Sequence, residues 1–142
     1  MVSNITFIRV CVVDTHKMLT VFGGNDARIG VVSWNGNILS SGSKECSIVS
    51  RDVRCNNIYS NNNIFTFSGY NQEVCGLKWS FDWTQLTSGG NDNKPIVWNI
   101  HSQKPLMCSN SHGAVVKAIA WSPHQHNLLV SGGGTADRTI RF

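Results

Sequence analysis

Apolar and β-branched residues along this chain come in short runs, punctuated by clusters of Gly, Asn, Asp and Ser, which is the chemistry of strands and turns. Three of the runs superimpose: Ala27-Arg-Ile-Gly-Val-Val-Ser-Trp34, Glu73-Val-Cys-Gly-Leu-Lys-Trp79 and Val115-Val-Lys-Ala-Ile-Ala-Trp121. Each leads through a turn into a second aligned run: Leu39-Ser40-Ser41-Gly42, Leu86-Thr87-Ser88-Gly89 or Leu129-Val130-Ser131-Gly132. The pattern predicts antiparallel sheets whose first strands fall near residues 28–34, 73–79 and 115–121. The runs are close to continuous rather than alternating, so both faces of these strands are expected to be covered by neighbouring sheets. On a regular strand Leu77 and Trp79 share one face, with Val74 and Gly76 on the other. A third strand closes at Trp98, and Pro95, just after the Asn91-Asp92-Asn93 turn, reads as its entry residue because proline cannot donate to a sheet ladder. Val10–Asp14 and Met18–Phe22 read as the last two strands of a preceding unit, and the polar tract from Cys55 to Asn63 as a loop.

The three tryptophans stand 45 and 42 residues apart. That period matches the ~40–45 residues of a WD repeat, one four-stranded blade of a β-propeller. The reading is therefore all-β: a WD-repeat propeller fragment of about three blades. Residues 1–22 are the end of a preceding blade, 23–67 and 68–109 are repeats, and 110–142 is a truncated repeat. In such a blade a turn Asp, a strand Ser, a His and a Trp can form a buried polar relay that satisfies groups burial would otherwise penalise. The second unit offers Ser88, Asp92 and Trp98, with Tyr70 where the His would stand. The third offers His112, Ser131 and Asp137, and the first is degenerate, with Glu45 and Arg51 in the Asp and Trp positions. Trp34, Trp79 and Trp121 are the matching structural anchors. A ring of 4–8 blades protects its strand edges by closing, so three blades alone are expected to leave apolar end faces open.

Charge changes this picture little. Twelve Lys and Arg against eight Asp and Glu give a formal +4, but the cations are scattered from Arg9 to Arg141 and form no nucleic-acid footprint. Five cysteines without a C-x-x-C pair argue against a disulfide framework or zinc site and fit a reducing compartment; Cys75 reads as a small core residue. No segment approaches 18 uninterrupted apolar residues, and Met1–Val13 does not read as a signal peptide. The Asn4-Ile5-Thr6 sequon matters only in a secreted chain.

Candidate chemistry is thin. His124 and His126 lack a third ligand at a recognisable spacing and sit in a turn after Ser122-Pro123. Gly132-Gly133-Gly134-Thr135 lacks the Gly-Lys-Ser/Thr and the helix of a phosphate loop. Ser88 and Ser131 have no nucleophile elbow around them. No enzyme, metal or cofactor is expected, and no nucleic acid, membrane or small-molecule substrate. The expectation is a protein-interaction module.

Several motifs are more specific than a bare repeat: Gln72-Glu-Val-Cys-Gly-Leu-Lys-Trp-Ser80, Ser88-Gly-Gly-Asn-Asp-Asn-Lys94, Val116-Lys-Ala-Ile-Ala-Trp-Ser-Pro-His-Gln-His126 and Ser131-Gly-Gly-Gly-Thr-Ala-Asp-Arg138. Together with Leu39–Ser43 they resemble the Fizzy family of activators of the anaphase-promoting complex, a cell-cycle ubiquitin ligase. The Ser-Pro-His-Gln-His run resembles the Fizzy-related branch more than the mitotic Fizzy branch. The resemblance implies a seven-bladed propeller, of which these repeats look like the third to fifth blades. It implies a face that holds a Lys-Glu-Asn degron, ligase subunits and degron-bearing substrates as partners, and work in the nucleus and cytoplasm. Carried over from the family's motifs, the degron contacts are Asn91, Asn93 and Thr135. Short amides and a hydroxyl on rigid turns suit such a task, although Asn also serves turn geometry for its own sake. The family's N-terminal ligase-docking segment, its Ile-Arg tail and its destruction-box groove have no counterpart in these residues, and Ile140-Arg141 reads as strand. The rival reading is a generic WD scaffold outside the cell cycle.

Overall fold

In a computed structural model of the chain, residues 6–25, 27–55 and 63–142 are described. Most of the polar tract from Cys55 to Asn63, and Asn4 and Ile5 of the sequon, lie outside them. Thirteen strands and no α-helix occur among the described residues. They form four antiparallel sheets. The first pairs β1 (Thr6–Val12) with β2 (Lys17–Asn25). The second runs β3 (Ile29–Asn35), β4 (Ile38–Ser43), β5 (Ser47–Asp52), β6 (Asn63–Ser68) in spatial order. The third repeats that order with β7 (Val74–Trp79), β8 (Gln85–Gly90), β9 (Pro95–Asn99) and β10 (Pro105–Cys108). The fourth holds β11 (Val116–Trp121), β12 (Leu129–Gly133) and the short β13 (Ile140–Arg141).

The three expected first strands are β3, β7 and β11, each within a residue or two of its predicted span, and Pro95 opens β9. The earliest strand differs from expectation. It starts at Thr6 and stops at Val12, because residues 13–16 form the turn, with His16 at φ 51°.

The second, third and fourth sheets meet through their first strands, with β7 packed against both β3 and β11. The main core gathers there and on the third sheet: Ile48, Phe67, Tyr70, Val74, Leu77, Trp79, Leu86, Ile96 and Trp98. Trp98 is 2% exposed and packs against Phe67, ring centroids 5.1 Å apart. The Ser-Gly pair of the second strand explains how closely the sheets approach. A Cβ on Gly42 would lie 2.7 Å from the Val74 side chain, and one on Gly89 would overlap the carbonyl of Val116. Equivalent glycines thus admit the equivalent valine of the next sheet, the usual reason for Gly inside a strand.

The turn between second and third strands is also repeated. Cys46, Asn93 and Arg138 occupy it in the left-handed region, at φ 64°, 65° and 53°. The N–H of Asn93 closes the turn on Gly90 O at 3.2 Å.

One local irregularity recurs and overturns the simple alternation. The ladder between first and second strands slips between Ile29 and Val31, between Val74 and Gly76, and between Val116 and Ala118. Each slip is a β-bulge, centred on Gly30, Cys75 and Lys117. As a result Val74 and Gly76 do not share a face. Val74 packs on Gly42 of the preceding sheet, whereas a Cβ on Gly76 would meet Ile119 of the following one. Cys75 is likewise not a core residue: it is half-buried and makes polar contacts.

Candidate functional site

The relay residues come together in part. In the third sheet the indole N–H of Trp98 donates to Ser88 Oγ at 2.6 Å, and Tyr70 Oη lies 2.5 Å from the same oxygen. Burial raises the phenol's pKa, so Tyr70 stays a donor and stands in for an imidazole. It reaches the serine directly. Asp92 is bypassed: its Oδ2 takes the Asn71 N–H at 3.4 Å, and its buried Oδ1 has no partner among the described residues.

In the fourth sheet His112 Nδ1 lies 2.6 Å from Asp137 Oδ2 and its Nε2 lies 2.9 Å from Ser131 Oγ. A carboxylate only accepts, so Nδ1–H donates to Asp137, and Nε2 pairs with the Ser131 hydroxyl. Hydrogen bonds from Thr139 Oγ1 (2.6 Å) and then from His112 hold the Asp137 carboxyl down at a pKa of about 2. The order Ser-His-Asp resembles a catalytic triad, yet Ser131 and His112 are 7% and 6% exposed and serve to satisfy each other. In the second sheet Ser41 Oγ donates to Val49 O at 3.2 Å. Buried Arg51 there lies over Phe22, 6.0 Å from the ring centroid.

The three aligned tryptophans have unequal surroundings. Trp79 is buried between two sheets, Trp121 is half-buried with its indole donating to Lys78 O at 3.3 Å, and Trp34 is 48% exposed. His124 and His126 are exposed in their turn, where Ser122 Oγ accepts the His124 N–H at 3.3 Å. Among the described residues no three His, Cys, Asp or Glu gather as a metal would require.

Asn91 and Thr135 do line concave surface, on two adjoining clefts. The first, about 400 Å³, is walled by Arg28, Ile29, Gly30, Glu73, Cys75, Asn91 and Lys117. The second, about 430 Å³, is walled by Ala114, Val115, Lys117, Ala118 and the Gly132–Ala136 turn that carries Thr135. Lys117 belongs to both. Asn93 lines neither, and its left-handed φ of 65° is shared with Cys46 and Arg138 at the same turn position. What the structure shows of Asn93 is its backbone in the turn, in a conformation that Asn tolerates.

The bulges build the first cleft, because Gly30, Cys75 and Lys117 are the three bulge residues and all three face it. Bulges commonly re-aim a side chain beside a functional surface. Asn91 is held from two sides: its N–H bonds Glu73 O at 2.9 Å, and its Oδ1 accepts the Cys75 thiol at 3.1 Å. With the carbonyl end occupied, the amide NH₂ is the free end. Arg28 Nη2 donates to both Glu73 oxygens, at 2.7 and 2.8 Å, tying two sheets together across the cleft. Arg28, Glu73, Cys75 and Lys117 went unnoticed as site residues in the sequence. The signal that could have found them is a shared offset in the aligned repeats: Arg28 and Glu73 stand six residues before their tryptophans, Cys75 and Lys117 four.

Comparison with known proteins agrees with the fold. The chain is 53% identical over 126 residues to Protein FIZZY-RELATED 2 of Arabidopsis thaliana, covering 89% of this chain and 25% of that protein. It is 46% identical over 143 residues to anaphase-promoting complex subunit cdc20 of Dictyostelium discoideum, covering 99% of this chain and 28% of that protein. The chain thus spans about a quarter of the length of these curated relatives. Among solved structures, a chain in a crystal structure of the Mitotic Checkpoint Complex superposes with a TM-score of 0.88 at 43% identity, covering 94% of this chain and 40% of that one. The relay is structural, its buried groups satisfying one another. The WD domain, G-beta repeat family matches residues 61–99 and 103–142, more than half the sequence, and the chain belongs to that family.

Proposed function

We propose that this stretch is the degron-reading part of an activator of the anaphase-promoting complex, with ligase subunits and degron-bearing substrates as its partners. The observation that carries the reading is the 46% identity to anaphase-promoting complex subunit cdc20 across 99% of the chain. The higher identity to FIZZY-RELATED 2, 53%, favours the Fizzy-related branch. Asn91 offers an amide and Thr135 a hydroxyl on rigid turns, one in each adjoining cleft, which suits a short polar peptide laid across both. Asn93 contributes through the same turn. The ligand is a Lys-Glu-Asn peptide.

A Lys-Glu-Asn peptide titrated against the full chain and against its Asn91→Ala, Asn93→Ala, Thr135→Ala triple variant tests this. Loss of hydrogen bonds to charged partners should weaken binding by about 10- to 150-fold. Unchanged affinity with an intact fold overturns the assignment. Failure to retain ligase subunits in a pull-down favours a scaffold outside the cell cycle.

A further inference from the structure

A third cleft, of about 440 Å³, opens at the other ends of the first strands and shares no residue with the clefts of Asn91 and Thr135. It is walled by Trp34 of β3, by Leu77, Lys78 and Trp79 of β7, and by Phe81 and Trp83 of the turn that follows. Trp34, Phe81 and Trp83 are exposed. Each turn between a first and second strand here holds one residue in the left-handed region: Gly36 at φ 54°, Trp83 at 62° and Asn127 at 62°. Gly and Asn take that conformation readily, whereas a bulky aromatic is strained in it. The turn is nonetheless held from several sides. Ser80 Oγ and Thr84 Oγ1 donate to Asp82 at 2.5 and 2.8 Å, and Trp83 O accepts from Asn35 Nδ2 of the second sheet at 3.3 Å. Strain maintained by surrounding bonds is typical of surfaces that contact a ligand.

We propose that this cleft docks a proline-rich, extended segment of a partner protein, with an acidic residue beside its prolines. Apart from two serine hydroxyls, the polar side-chain groups of the cleft are donors. The indole N–H groups of Trp34 and Trp83 and the Lys78 ammonium make no hydrogen bond or ion pair among the described residues. No carboxylate or amide side chain lines the cleft. Trp79 adds an indole N–H that is buried without a partner, whereas the equivalent N–H of Trp121 finds Lys78 O at 3.3 Å. Such a surface suits a ligand that is apolar and accepts. Proline has no N–H, so a run of prolines presents carbonyls alone, and its extended shape is set before binding. Aromatic-lined grooves take segments of this kind. Lys78 is the one charged residue of the cleft; it disfavours a cation over the aromatic faces and favours a neighbouring carboxylate.

The test titrates Asp-Pro-Pro-Leu-Pro, Asp-Ala-Ala-Leu-Ala and Lys-Pro-Pro-Leu-Pro peptides against a full-length protein containing these residues and against its Trp83→Asn, Lys78→Glu and Asn91→Ala variants. The native protein should bind the acidic proline peptide about tenfold tighter than either control. Trp83→Asn should weaken that binding about tenfold while the melting temperature holds or rises, because Asn takes this φ without strain. A side chain needed only for folding would lower the melting temperature instead. Lys78→Glu should transfer the preference to the lysine peptide, and Asn91→Ala should change nothing. Equal binding of the alanine peptide marks a generic apolar face and overturns the proposal. So does a native preference for the lysine peptide, an affinity unchanged in Trp83→Asn, or a loss of binding in Asn91→Ala. A native protein that binds none of the peptides overturns it as well.

Discussion

Individual residues show two kinds of legibility. The members of the relays stood in the sequence as Ser88, Asp92 and Trp98 or His112, Ser131 and Asp137, because the repeat fixes their offsets. Their bonding did not. Tyr70 reaches Ser88 directly, so Asp92 has no imidazole to orient, whereas Asp137 keeps its partner His112. The consequence is measurable in acid. Asp137, held by Thr139 and His112, and Asp52, held by Arg54, have pKa values lowered from 3.8 to about 2. A carboxylate depressed in the folded state adds stability that is fully present above its unfolded pKa and is lost as pH falls through the folded one. Thermal stability should therefore decline between pH values of about 4 and about 2. Asp137→Asn should flatten part of that slope, and an Asp137→Asn profile as steep as the native one would remove Asp137 from the account.

Strands were legible where their causes are local. Turn residues and apolar runs placed β3, β7 and β11 correctly, since those signals need no knowledge of neighbours. The bulges were not legible, because a slipped ladder depends on the partner strand and leaves no mark on apolar spacing. Gly42 and Gly89 sit between these cases: the repeat marks them as equivalent, and only the next sheet explains them. Gly89→Ala should cost about 1–3 kcal/mol through forced separation of two sheets. Gly113→Ala, where the new Cβ would meet Asp137 at an ordinary 3.6 Å, should cost less. Urea denaturation of the two variants compares them, and equal midpoints would refute the close-approach argument.

For the molecule as a whole, the surface of residues 1–142 matters as much as the core. Ile140 of the fourth sheet is 71% exposed and Phe142 after it 90%, while Met18 and Leu19 on β2 of the first sheet are 55% exposed each. Apolar faces of this kind, at both ends of a row of blades, favour association. Produced as these 142 residues alone, the protein should sediment as an associated species or unfold without a sharp transition. A soluble monomer with a cooperative melt would contradict this, and ligase stimulation by that monomer would overturn the requirement for more blades. The same row of sheets creates the candidate site, since Arg28, Glu73 and Lys117 each belong to a different blade's approach and converge on one cleft.

By itself the sequence determined the all-β class, the repeat and the strand and turn positions. Those follow from periodicity and turn chemistry, which act over a few residues. The tertiary structure alone decided that Cys75 and Lys117 turn out into a cleft, that Trp79 is buried while its counterpart Trp34 is not, and that Asn91 and Thr135 flank a common cation. Each of these depends on which sheet packs against which. Partners in that packing stand a whole repeat apart along the chain, beyond the reach of any local pattern.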